Sequence, residues 1–133
     1  MSYPGFKTDT RNPMKHARNW GSAKSGVGHW WMQRLTAVAL IFLGLWFVCT
    51  MLSFLGADYA TARQALAEPW NVVLMILFVT IGFWHAQFGL QVIIEDYVHT
   101  RWKEVILVVV IKFLAVLLAL ASALAVLRVA FGG

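Results

Sequence analysis

The sequence has little of what a water-soluble domain depends on. Only 13% of its 133 residues are charged, against roughly 25% in an average globular domain, so charge cannot cover a water-facing surface. A single cysteine excludes an internal disulfide. The basic residues form no continuous stripe, and we therefore predict no nucleic-acid partner. Apolar residues make up 60% of the chain, more than the roughly 45–50% of an average soluble domain. This composition predicts that much of the surface is covered by lipid.

Three long apolar runs dominate the sequence. They predict membrane spans over about residues 30–55, 70–94 and 105–129, since ~20 helical residues at ~1.5 Å each cross a hydrocarbon core of ~30 Å. Trp30 and Trp31 suit an interfacial aromatic belt, and Pro69 suits the first turn of a helix. The predicted fold is all-α: an integral membrane domain of three transmembrane helices over residues 29–133, preceded by a polar arm over residues 1–28.

The basic residues are distributed unevenly between the two sides of this predicted topology. With the N-terminus inside, the outer side keeps Arg63 and Arg128, and Lys112 lies within the third span. The inner side then holds the other eight: Lys7, Arg11, Lys15, Arg18, Lys24, Arg34, Arg101 and Lys103. This asymmetry predicts a cytoplasmic N-terminus. The polar start of the chain resembles neither a secretory signal nor a transit peptide, and we therefore expect a bacterial inner membrane.

One histidine lies deep in the second predicted span. Gly82 and Gly89 are three residues before and four residues after His85, so all three share one helix face. The glycines leave room beside an imidazole for a large planar group, as an axial haem ligand requires. The alternative is a histidine that is hydrogen-bonded to a neighbouring helix, with the glycines serving close helix packing.

Three further residues are candidates for binding near the cytoplasmic interface. Asp96 and Tyr97 follow His85 by eleven and twelve residues, which places Asp96 near the same helix face about 16 Å further along. A phenol there can hydrogen-bond a quinone carbonyl, whereas an interfacial tyrosine anchor beside a helix-end carboxylate is the simpler alternative. Arg34, one turn inside the first span, either extends its charge to the interface or pairs with an anion.

These segments together resemble a known family. The sequence reads HAQFG at 85–89 and IIEDYVH at 93–99, with GSAK at 21–24 and HWWMQRLTA at 29–37 upstream. This order and spacing, on three apolar runs, resembles the small hydrophobic membrane-anchor subunit of bacterial succinate dehydrogenase. The resemblance extends from about residue 21 to the end of the third span.

The resemblance implies an oxidoreductase subunit that is not catalytic alone. Its partners would be a flavoprotein subunit, an iron–sulfur subunit and a second, different membrane anchor that completes the helical bundle. It implies His85 as an axial ligand of a shared haem b, with Gly82 and Gly89 facing the haem and Arg34 near its propionates. It also implies that Tyr97 and Asp96 belong to a ubiquinone site.

Two other classes of function compete with this interpretation. A non-redox structural anchor would use its helices only to hold a soluble complex at the membrane. A small transporter is disfavoured, because the deep ionisable residues, His85 and Lys112, make no continuous polar path.

Overall fold

The computed structural model of the chain describes residues 23–132, with side-chain surroundings from residue 27 onward. Within this range there are four helices and no strand: α1 (Ala23–Ser53), α2 (Tyr59–Leu66), α3 (Pro69–Tyr97) and α4 (Arg101–Phe131). Three segments are long and apolar enough to span a membrane, namely Val27–Ser53, Pro69–Tyr97 and Arg101–Phe131. The prediction of an all-α integral membrane protein is therefore confirmed.

The helices differ from the predicted spans at their ends. Helix α1 begins at Ala23, inside the predicted polar arm, and the remainder of that arm, residues 1–22, lies outside the described residues. Helix α3 continues to Tyr97, and α4 begins at Arg101, so their connection is only residues 98–100. Hydropathy predicts where the apolar stretch ends, but helices extend further when polar residues continue the backbone hydrogen bonding.

The first connection contains a short helix, α2, that was not predicted. After Gly56, whose φ of +84° requires the freedom of glycine, Asp58 caps α2 by accepting a hydrogen bond of 3.2 Å from the backbone N–H of Thr61. Hydrogen bonds from the Thr61 side chain and backbone lower the pKa of this carboxyl. The Asn71 amide donates to the carbonyl of Ala65 at 2.8 Å and thereby joins α2 to α3.

The chain divides into two units, Met1–Trp31 and Met32–Gly133, and the helix contacts that follow all belong to the second. Helix α3 packs along α4, and α2 contacts both. Helix α1 runs antiparallel to α3, because the residue numbers of the contacting pairs increase along α1 while they decrease along α3. These contacts pair Gln33 with Gly89, Thr36 with His85, Leu40 with Gly82, and Phe47 with Phe78, whose rings stack at 4.7 Å.

The distribution of polarity is the reverse of that in a soluble protein. Among the described residues, only Met75, Thr36 and Gln87 are buried, and two of these three are polar. Both polar side chains are hydrogen-bonded. Large apolar side chains such as Phe42 and Phe113 are exposed instead. Lipid or a partner helix can cover such a surface without cost, whereas water cannot.

Candidate functional site

His85 occupies the interior of α3 and contacts α1. The residue is half-buried, and its Nδ1 lies 2.9 Å from the Thr36 hydroxyl oxygen. Nε2, the other ring nitrogen, makes no hydrogen bond to any residue that the structure describes. One side of the imidazole is thus held by the chain itself, while the other nitrogen is available to a group from outside it.

The hydroxyl of Thr36 has three polar neighbours. Besides His85, its Oγ1 lies 2.7 Å from the carbonyl oxygen of Met32 and 3.1 Å from that of Gln33. A threonine bonded to the carbonyl four residues earlier is common in helices, and it fixes the side-chain rotamer. The contact with His85 is the one that joins two helices.

The two glycines beside His85 lie on the face of α3 that meets α1. A Cβ built at Gly82 would lie 3.9 Å from the Leu40 side chain, and one at Gly89 would lie 4.0 Å from the Gln33 amide nitrogen. Both are ordinary van der Waals distances, so packing between α1 and α3 does not require glycine at either position. Close packing between α1 and α3 therefore does not account for the two glycines.

A ladder of side-chain hydrogen bonds runs along α3 from Gln87, two residues after His85, toward the C-terminal end of the helix. Gln87 Nε2 donates to Gln91 Oε1 at 3.0 Å, and Gln91 Nε2 donates to Glu95 Oε1 at 2.8 Å. Gln87 is buried, Gln91 is half-buried and Glu95 is exposed. The ladder joins the membrane interior to the end of the helix where Asp96 and Tyr97 lie.

Gln33 presents a polar atom without a partner. Its Oε1 is buried and accepts no hydrogen bond from the residues that the structure describes. Buried acceptors of this kind are rare, because each loses its hydration without compensation. Gln33 is one turn before Thr36 on α1 and faces Gly89 on α3, so this acceptor borders the surroundings of His85.

The remaining predicted residues lie nearer the helix ends. Asp96 and Tyr97 form the last turn of α3, and both are exposed, Tyr97 by 79%. Arg34 is exposed on α1, two residues before Thr36. The structure thus brings His85 and the two glycines together against α1, and it puts the Asp96–Tyr97 pair at the end of the same helix.

Sequence reasoning missed four uncharged polar residues within the spans: Thr36, which contacts His85, and Gln33, Gln87 and Gln91. The available signal was their position, because uncharged polar side chains inside an apolar span usually face another helix. The pairing of Thr36 with His85 joins residues 49 positions apart, and a single sequence does not give the register between two helices.

Among the described residues, His85 is a donor that suits one axial position of a haem. The described residues contain no group of three or more histidine, cysteine, aspartate or glutamate side chains that could hold a metal ion. A b-type haem needs only one histidine from each side of its plane. His85 supplies one such donor: Thr36 holds Nδ1, and no residue that the structure describes binds Nε2.

Comparison with known proteins identifies relatives over most of the chain. The succinate dehydrogenase hydrophobic membrane anchor subunit of Rickettsia bellii (strain RML369-C) is 34% identical over 118 residues, covering 89% of this chain and 94% of the relative. The protein of the same name from Paracoccus denitrificans is 33% identical over 115 residues, with 85% and 88% covered. The succinate dehydrogenase membrane anchor subunit of Reclinomonas americana is 32% identical over 96 residues, with 70% and 80% covered.

No solved structure matches the chain. Residues 8–119 match the family model described as succinate dehydrogenase/fumarate reductase transmembrane subunit. This range includes α1, α2, α3 and most of α4, and with them every candidate site residue. The resemblance inferred from the motifs is therefore confirmed, and this chain belongs to the family of succinate dehydrogenase/fumarate reductase transmembrane subunits.

Proposed function

We propose that this chain is the small membrane-anchor subunit of a succinate:quinone oxidoreductase. It lies in a bacterial inner membrane with its N-terminus in the cytoplasm, and a second, different anchor protein completes its helical bundle. Family membership, three apolar spans and the names of the relatives support the anchor role. The observation that carries the redox role is His85, whose Nδ1 is hydrogen-bonded to Thr36 and whose Nε2 has no hydrogen-bond partner among the described residues.

The proposed haem contact centres on His85. Its Nε2 would provide one axial ligand of a haem b, and a histidine of the partner anchor would provide the other. Gly82 and Gly89 would face the haem at the edge of the contact between α3 and α1, since that contact does not require them to be glycine. Arg34 would pair with a propionate as a charge-assisted donor. When bound, the haem supplies a one-electron carrier between the two anchors.

The proposed quinone contact is the C-terminal end of α3. The Tyr97 phenol donates a hydrogen bond to a carbonyl oxygen of ubiquinone, and its exposure leaves it accessible to such a ligand. Asp96, its neighbour, pairs with an arginine of the partner anchor and orients the site. Reduction of the quinone to the quinol consumes two electrons and two protons at the two carbonyl oxygens.

The electrons come from subunits outside this chain. A flavoprotein subunit oxidises succinate to fumarate, and an iron–sulfur subunit transfers the two electrons to the membrane. The soluble subunits would dock on the cytoplasmic face, where the orientation predicted from basic residues puts Asp96 and Tyr97. The quinone would then be near the last iron–sulfur cluster.

A non-redox structural anchor is the second candidate, and one observation favours it. The hydrogen bond between His85 and Thr36 joins α3 to α1, so His85 has a packing role that requires no haem. In that case the helices would hold the soluble subunits at the membrane, and neither ring nitrogen of His85 would bind a metal.

An absorption spectrum of the purified wild-type complex separates the two candidates. We expect the dithionite-reduced complex to show the α band of a b-type haem, and to contain the flavoprotein, the iron–sulfur protein and the second anchor. Succinate should reduce both a soluble dye and ubiquinone. A complex that contains all four proteins but shows no b-type band would favour the structural anchor and contradict the haem assignment.

A further inference from the structure

The hydrogen bond between Thr36 and His85 has a donor and an acceptor that can be assigned from its neighbours. Thr36 is buried, and its hydroxyl has one hydrogen and two lone pairs. Two of its three polar neighbours are the carbonyl oxygens of Met32 and Gln33, which only accept hydrogen bonds. Two oxygen atoms only 2.7 Å apart need a hydrogen between them, so the hydroxyl hydrogen is assigned to the closer carbonyl, that of Met32.

This assignment favours one tautomer of His85. Because the hydroxyl hydrogen is used by Met32, Oγ1 faces the imidazole with a lone pair, and the contact at 2.9 Å is a hydrogen bond only if Nδ1 carries the proton. In a neutral imidazole with a proton on Nδ1, Nε2 carries the free lone pair. That lone pair is the one that binds a metal.

We propose that Thr36 is a positioning residue for axial coordination by His85. It holds the Nδ1–H tautomer and fixes the ring plane, so that Nε2 is presented as the ligand. Metal-binding histidines commonly donate their second N–H to an oxygen acceptor in this way, which raises the basicity of the coordinating nitrogen. The inference rests on the proposed haem function, and it adds a role for a residue on a different helix.

The effect on the iron follows from the direction of the bond. Donation from Nδ1–H increases electron density on the imidazole and favours the oxidised, more positively charged iron. Loss of the acceptor should therefore raise the midpoint potential of the haem. Loss of the bond also frees the ring to rotate and to exchange tautomers, so haem should be retained less strongly, by about 10- to 100-fold.

Thr36→Val is the primary test, because valine keeps the branched shape and replaces the hydroxyl with a methyl group that makes no hydrogen bond. Thr50→Val is a matched control: Thr50 also lies on α1, and its hydroxyl also donates to the carbonyl four residues earlier, that of Trp46, at 2.8 Å. The measurements are haem content per complex, the reduced spectrum and a redox titration of the b-type band. We expect weaker haem retention and a higher midpoint potential in Thr36→Val, with wild-type values in Thr50→Val and in Thr36→Ser.

Wild-type haem content and potential in Thr36→Val would overturn the inference while leaving the haem function intact. If the wild-type complex has no haem, the proposed function itself fails. If Thr36→Val does not assemble, Thr36→Ser and Thr36→Ala form a second pair that differs by one oxygen atom. Equal haem content and potential in this pair would overturn the inference. It would also be overturned if Thr36→Ala did not assemble while the haem-free His85→Ala complex did, because the role of Thr36 would then be structural.

Discussion

Alanine at Gly82 and Gly89 separates a packing role from a cofactor role. The added Cβ would meet its nearest neighbour outside α3 at 3.9 Å in Gly82→Ala and at 4.0 Å in Gly89→Ala, so neither clashes with a residue that the structure describes. Alanine also favours a helix by about 1 kcal/mol relative to glycine. At equal haem occupancy, the apparent melting temperature of the purified complex should therefore be unchanged or slightly higher. Gly132→Ala should instead lower the melting temperature. Gly132 has a φ of +77°, which alanine adopts only with strain, and its added Cβ would lie 3.0 Å from the Arg63 guanidinium.

Haem retention should respond in the opposite way to the alanine substitutions. A methyl group inserted where a planar macrocycle packs costs about 1–3 kcal/mol of overpacking, which corresponds to roughly 5- to 150-fold weaker retention. The assay is haem content per complex after extended washing in detergent, measured beside thermal denaturation. Full haem retention in both variants would refute the haem-facing assignment. A lower melting temperature with full haem would refute the packing geometry.

Two other variants test the end of α3. Gln91→Leu removes both hydrogen bonds of the amide ladder and leaves the buried Gln87 amide without its acceptor, so we expect a loss of about 1–3 kcal/mol in unfolding free energy; an unchanged thermal denaturation curve would contradict the ladder. Tyr97→Phe should impair ubiquinone reduction while succinate oxidation by a soluble dye is retained. Tyr59→Phe is its control, since Tyr59 is equally exposed, by 79%, at the start of α2, and equal effects of the two substitutions would exclude a specific role for Tyr97.

The sequence predicts the membrane spans well, because a span requires a long apolar run and nothing in the rest of the chain overrides that requirement. It also predicts which residues share a face of α3, since His85, Gly82 and Gly89 follow helical periodicity. The ends of the helices are less predictable. Hydropathy assigns Asp96 and Tyr97 to a connection, yet they continue the backbone hydrogen bonding of α3.

Contacts between helices are what one sequence does not supply. The partner of His85 is Thr36, and the choice depends on the register between α1 and α3, which is set by packing along the whole pair. Helix α2 was missed for a related reason. Its residues are of mixed polarity, and it is stabilised by the Asp58 cap and by contacts with α3 and α4 rather than by an apolar run.

Haem ligation by His85 is best tested by the ratio of haem b to complex in His85→Ala, compared with His99→Ala. His99 is the matched control, because it is exposed in the connection between α3 and α4. We expect His85→Ala to lose the b-type α band of the dithionite-reduced complex, while His99→Ala retains one haem for each complex. An assembled His85→Ala complex with an unchanged band would contradict the assignment of His85 as the axial ligand.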